Sequence, residues 1–240
     1  MKRAFTSIPR HALLFVLLLV LISAVCERHN AERTNHPVKA PGILLKEPPS
    51  TPDANAKYLL YLHGRLVEEK GIRPTDPQYG IYEYEQILDT FKQFGFTVIS
   101  EARPKGTDVN DYATKTVNQI QGLLGAGVPA HQITVVGASK GAVIAMVAST
   151  LLRNRDVNFV IMSNCNDWVG ENFHIDLHGN VLSIYDVNDE FGQTCQKFFD
   201  GSTGLNKQKE VELKVGTGHA ILYEPMKEWV DLVIEWAEGA

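Results

Sequence analysis

From Lys57 onward the sequence alternates between short apolar runs and longer stretches of helical period, and this alternation restricts the fold more than any other feature. The runs are Tyr58–Leu62 (YLLYL), Phe96–Ser100 (FTVIS), Ile133–Val136 (ITVV), Phe159–Ser163 (FVIMS), Val181–Tyr185 (VLSIY) and Val211–Val215 (VELKV). Several are β-branched and apolar at consecutive positions, as strands are when both faces of a parallel sheet are covered. Helical stretches lie around Glu83–Phe94, Asp108–Leu124 and Lys140–Leu152. In the second of these, Val109, Tyr112, Ala113, Val117, Ile120 and Leu124 recur at three and four, marking one buried stripe. A last helix from about Pro225 carries Trp229, Leu232, Val233 and Trp236 on one face. The pattern predicts one α/β domain over residues 57–240 with a doubly wound, mostly parallel sheet. The stretch after Ser139 (GAVIAMVASTLL) is apolar almost all round and is therefore expected at the centre.

Two segments of different character precede this body. Met1–His11 is basic, and Ala12–Val25 runs 14 residues without a charge. A membrane-spanning helix needs about 20 apolar residues and an export signal about 7–15. Residues 1–26 read as a signal peptide or membrane anchor, so the protein is expected to be exported, periplasmic or secreted. Whether residues 12–26 are cleaved, retained as a membrane attachment or lipidated at Cys26 stays open; Val25 is bulky for the position before a lipidated cysteine. Residues 27–56, with Pro37, Pro41, Pro48, Pro49 and Pro52, read as a tether holding one short strand at Gly42–Leu45. In an oxidising compartment Cys165 and Cys195, each just past a predicted strand, are able to pair; two buried thiols are the alternative. Without the leader the body holds 20 Lys and Arg against 28 Asp and Glu, a formal charge of −8 where the whole chain carries −5. A body so acidic is poorly suited to nucleic acid, which requires a basic surface.

Chemistry concentrates where Ile133–Val136 runs into Gly137-Ala138-Ser139-Lys140-Gly141 and then into a helix. G-x-S-x-G between a strand and a helix forms a sharp turn that exposes its serine, and the residues two positions either side must be small to avoid collision. The hydroxyl then projects at the carboxyl end of a central strand, where backbone N–H groups of the helix start face a developing anion. A serine hydroxyl is a weak nucleophile and needs a base and an orienting acid.

Over roughly residues 57–238 the sequence resembles the α/β-hydrolase superfamily, whose order is Ser, then Asp or Glu after a later strand, then His after the last strand. The resemblance implies Ser139 as nucleophile, His219 in Gly218-His219 as general base, and Asp189 in Asp186-Val187-Asn188-Asp189-Glu190 as the acid, with Asp186 and Glu190 as rivals. His63-Gly64-Arg65, after Tyr58–Leu62, is similar to the superfamily's His-Gly turn. It implies an oxyanion hole formed by the amides of Arg65 (or Leu66) and Lys140. The Lys140 ammonium is expected either to attract anionic substrates or to lie solvated over the helix start. The implied function is hydrolysis of small carboxylic esters through an acyl-enzyme, without cofactor or metal. Thioester, peptide or lactone cleavage on the same residues, or a non-catalytic binding protein on the same fold, are the alternatives.

Other signals carry less. The spacing of Gly137–Gly141 does not match a phosphate loop. If extended, His174, Asp176 and His178 share a face able to hold a metal ion; the preferred reading is the wet face of a hairpin turning at Gly179-Asn180. Trp168 and Phe173 are expected either to line the cleft or to cover a sheet edge. The interval Asn164–Asn180 is too short for a helical lid, so an open pocket is expected. Little sequence precedes Tyr58, so the sheet is expected to be shortened at its first-strand edge.

Overall fold

In a parallel strand covered on both sides, successive side chains leave for opposite apolar layers, and Tyr58–Leu62 does this residue by residue. Tyr58, Leu60 and Leu62 enter one core layer, while Leu59 and Tyr61 enter the other. The computed structural model describes residues 40–239; the leader, Cys26 and the first part of the tether lie outside them. The elements in chain order are β1 (Leu44–Leu45), β2 (Tyr58–Leu62), α1 (Arg65–Lys70), β3 (Thr75–Asp76), β4 (Gly80–Ile81), α2 (Tyr84–Gln93) and β5 (Thr97–Ile99). They continue with α3 (Val109–Gly125), β6 (Ile133–Ala138), α4 (Lys140–Leu152), β7 (Asn158–Met162), α5 (Asp167–Asn172) and β8 (His178–Asp186). Last come α6 (Gln196–Asp200), β9 (Gly204–Leu213), a short 3-10 helix at Gly218–Leu222 and α7 (Lys227–Glu238).

Seven strands form one parallel sheet in the order β1-β5-β2-β6-β7-β8-β9, with β6 in the middle. Helices α3 and α4 pack on one face, and α2 and α7 on the other. Helix α4 buries residues 141–149 without interruption, as its all-round apolar sequence requires. Helix α3 starts where the Asp108 carboxylate accepts from the amides of Asn110 and Asp111. Because all seven strands run the same way, the loops after β2, β6, β8 and β9 gather along one edge of the sheet, where α/β proteins bind ligands.

The short strand read at Gly42–Leu45 is β1, whose two residues pair with β5 and form the shortened edge of the sheet. One expectation changes. Gly179-Asn180 is not a hairpin turn: it is an irregularity within β8, where the register against β9 shifts. Gly179 has φ +102°, and a Cβ there would meet the Val157 carbonyl oxygen at 2.4 Å, so this glycine serves a close approach of strands rather than a reversal.

Candidate active site

Strand β6 ends at Ala138, and Ser139 turns the chain into α4 with φ 53° and ψ −118°, a conformation an L-residue holds only under constraint. The constraint is contact on both sides. A Cβ on Gly137 would lie 2.3 Å from the Gly141 carbonyl oxygen, and one on Gly141 would lie 1.8 Å from the Leu62 carbonyl oxygen. Asn164 Nδ2 donates to the Ser139 carbonyl at 2.9 Å, and the Ser139 amide donates to Met162. The serine side chain makes no capping bond to α4. Its Oγ instead lies 3.0 Å from His219 Nε2.

His219 sits in the 3-10 helix after β9, and its Nδ1 is 3.0 and 3.1 Å from the two carboxylate oxygens of Asp189. Both side chains are buried. Burial alone raises the Asp189 pKa; the His219 bond and charge and the Phe191 amide outweigh it and hold the carboxyl below its usual range. The Asp189 Oδ1 also accepts from the amides of Phe191 and Gly192. Each rival carboxylate is engaged elsewhere. Asp186 accepts from four amides, those of Asn188, Val215, Gly216 and Gly218, at 2.9–3.0 Å, and so staples the end of β8 to the loop carrying His219. Glu190 accepts from the Tyr79 hydroxyl at 2.7 Å, which pushes that phenol up to about 12.

On the other side of Ser139, the turn after β2 brings Gly64 against it: a Cβ at 64 would be 3.5 Å from Ser139 Cβ. The Gly64 amide is taken by Tyr82 Oη at 3.4 Å. His63 is fully buried behind this turn, with Nε2 accepting from the Arg103 amide at 2.9 Å and Nδ1 donating to the Gly64 carbonyl at 2.8 Å. Burial and the neighbouring Arg103 charge lower its pKa to about 3, so this imidazole is neutral and structural. The Lys140 ammonium is held rather than loosely solvated: Nζ donates to Glu68 Oε1 and to the Thr107 carbonyl, both at 2.6 Å, and the residue lines the cleft over Ser139. Glu68 and Arg103 were not legible as site residues, since neither carries a local motif and they meet only through the fold.

A cavity of about 570 Å³ opens over Ser139 and His219. Val109, Val143, Trp168 and Phe191 supply apolar wall, and Arg65, Glu69 and Lys105 form the polar side. Trp168 thus lines the cleft, whereas Phe173 packs edge-on against it at 5.7 Å and joins the core beneath. The Phe191 ring lies 4.9 Å from the His219 ring, with Tyr79 at 6.2 Å, so cover over the imidazole comes from the β3–β4 hairpin and the loop after β8. Cys165 and Cys195 are joined in a disulfide, with a Cα separation of 5.1 Å, tying the loop after β7 to the start of α6.

The His174-Asp176-His178 face does not form. His174 is exposed, His178 is buried with Nδ1 on the Asp176 carbonyl, and the Asp176 carboxylate accepts from Thr203. Among the described residues, no group of three His, Cys, Asp or Glu is disposed to hold a metal ion, and no helix is long and apolar enough to cross a membrane.

No protein-family model and no curated protein sequence matches the chain. Solved structures share its fold at low sequence identity. Esterase B from Lactobacillus rhamnosis, in a structure inhibited with a C4-C4 SN3 tributyrin phosphonate, is 12% identical with a TM-score of 0.51, covering 96% of this chain and 95% of its own. The same esterase with a C6-C4 SN3 inhibitor also gives a TM-score of 0.51 at 12% identity, covering 95% of each chain. An Agrobacterium tumefaciens protein of unknown function, assigned to the α/β hydrolases, is 18% identical with a TM-score of 0.47, covering 79% of this chain and 86% of its own.

Proposed function

We propose that this chain, which has the α/β-hydrolase fold, is a serine hydrolase cleaving small carboxylic esters. One observation carries the reading: the continuous hydrogen-bonded line from Ser139 Oγ through His219 to Asp189, whose serine and imidazole open onto the cavity of about 570 Å³. In the proposed reaction His219 Nε2 takes the Ser139 proton as Oγ attacks the ester carbonyl. The Arg65 and Lys140 amides meet the negative oxygen of the tetrahedral intermediate, charge that the ground state lacks. Collapse expels the alcohol, protonated by His219, and leaves an acyl-Ser139 ester. Water, deprotonated by His219, attacks that ester and releases the acid. Asp189 holds the imidazole tautomer and offsets its charge when protonated. Side chains and amides handle every proton and charge, so the reading calls for no cofactor.

The apolar wall of Val143, Trp168 and Phe191 suits a short acyl or aryl group. The tributyrin-type phosphonate held by esterase B supports a small acyl substrate of the same kind. We also propose that the protein works outside the cytoplasm, with residues 1–26 as its export signal or anchor; the Cys165–Cys195 disulfide supports an oxidising compartment. The test is labelling with a fluorophosphonate probe together with p-nitrophenyl butyrate hydrolysis. Wild-type protein is expected to label and turn over, and Ser139→Ala to do neither. Folded wild-type protein that takes no label overturns the proposal.

A further inference from the structure

Three segments distant in sequence meet at one buried carboxylate beside Ser139. Glu68, on α1, has a side chain only 2% exposed. Its Oε1 accepts from Lys140 Nζ at 2.6 Å and from the Thr107 amide at 3.1 Å, and its Oε2 accepts from Arg103 Nε at 3.4 Å. Arg103, fully buried, reaches on to the turn after β2: its guanidinium Nη2 donates to the His63 carbonyl, and its amide donates to His63 Nε2. Its ring-like plane also lies over Tyr112, 5.3 Å from the centroid. Lys140 closes the loop by donating to the Thr107 carbonyl.

A buried ion cluster of this kind adds little stability over apolar side chains of the same volume, because desolvating the charges offsets their attraction. What it does supply is fixed geometry, and the segments it fixes are the turn His63–Glu68 and the residue that follows Ser139. These carry the two amides assigned above to the oxyanion. We infer that Glu68 is a positioning residue that holds the Arg65 and Lys140 amides in register with Ser139. The inference rests on the serine-hydrolase reading, since only that reading gives the two amides a common task. Lys140 contributes through its backbone to the anion and through its ammonium to Glu68, so its charge is already paired where it meets the cavity.

The test measures kcat and KM per active site, titrated with a fluorophosphonate, and the affinity for phenylboronic acid, which forms a tetrahedral adduct with an active serine. Glu68→Gln keeps the volume but cannot balance two cations. A displacement of catalytic groups by an ångström costs on the order of 100-fold, so kcat is expected to fall about 10- to 100-fold. KM is expected to stay within about twofold, because the lost interaction is made only in the transition state. Phenylboronic acid is expected to weaken in step with kcat. Lys140→Met removes one tie while leaving the Glu68–Arg103 and Glu68–Thr107 bonds, and is expected to lower kcat about tenfold in the same pattern. If Glu68→Gln does not fold, Lys140→Met decides alone. Unchanged kcat per titrated site, or a rise in KM that matches the loss, overturns the inference. Wild-type protein that takes no label overturns the hydrolase reading itself, and this inference with it.

Discussion

Gly141 meets the Leu62 carbonyl so closely that an added Cβ would lie 1.8 Å from the oxygen. That contact presses the start of α4 onto the end of β2 and leaves no flexible side chain to give way. Gly141→Ala is expected to destabilise the fold by about 3 kcal/mol, at the upper end for overpacking because backbone must move. Chemical denaturation checks it; stability within error of wild type would show that the two segments separate freely.

Ser139 holds a positive φ of 53° with His219 Nε2 3.0 Å from its hydroxyl. Glycine adopts such a conformation without the penalty that any Cβ brings. Ser139→Gly is therefore expected to be more stable than Ser139→Ala by about 1 kcal/mol, the reverse of the usual order. Both variants are expected to be inactive, and paired thermal melts at one pH compare them directly.

Asp189 is the carboxylate that reaches His219. Asp189→Asn is expected to lower kcat about 10⁴-fold, through the wrong imidazole tautomer. Glu190→Gln retains an acceptor for Tyr79 and is expected to stay within about twofold. The Asp189 pKa lies below its ordinary 3.8, so its contribution to stability is complete above that value and is lost as pH falls through the lowered one. The stability gap between wild type and Asp189→Asn should close in that acid range, which denaturation at a series of pH values reads.

His63 gives a second, separate pH signature. Its folded-state pKa is about 3 against an ordinary 6.5, so between those values the unfolded chain binds a proton that the folded chain refuses. The stability it contributes is complete above about 6.5 and declines by about 1.4 kcal/mol per pH unit below it, down to about 3. Comparing the acid unfolding of wild type with His63→Gln isolates this slope. Equal slopes in the two proteins would mean that the buried imidazole does take up a proton.

The strands and main helices were legible because burial on both faces writes itself into consecutive residues, and Tyr58–Leu62 and Lys140–Leu152 coincide with β2 and α4. The features that escaped depend on partners far along the chain. Gly179-Asn180 carries a local turn signal, but pairing with β7 and β9 overrides it. Three carboxylates within five residues competed for His219, and only the shape of the loop after β8 separates Asp189 from the amide-bound Asp186. Lys140 looked solvent-facing because its counter-charge, Glu68, stands 72 positions earlier.

His219 stands 80 positions beyond Ser139, past the last strand of the sheet. A chain growing from its amino end therefore carries Ser139 and Asp189 well before His219 exists to join them. On the proposed mechanism, until β9 and the Gly218–Leu222 turn have docked the serine lacks its proton acceptor, so an unfinished or clipped chain is expected to be inactive. On the proposed function, turnover therefore reports that the last strand and the Gly218–Leu222 turn have docked against Ser139.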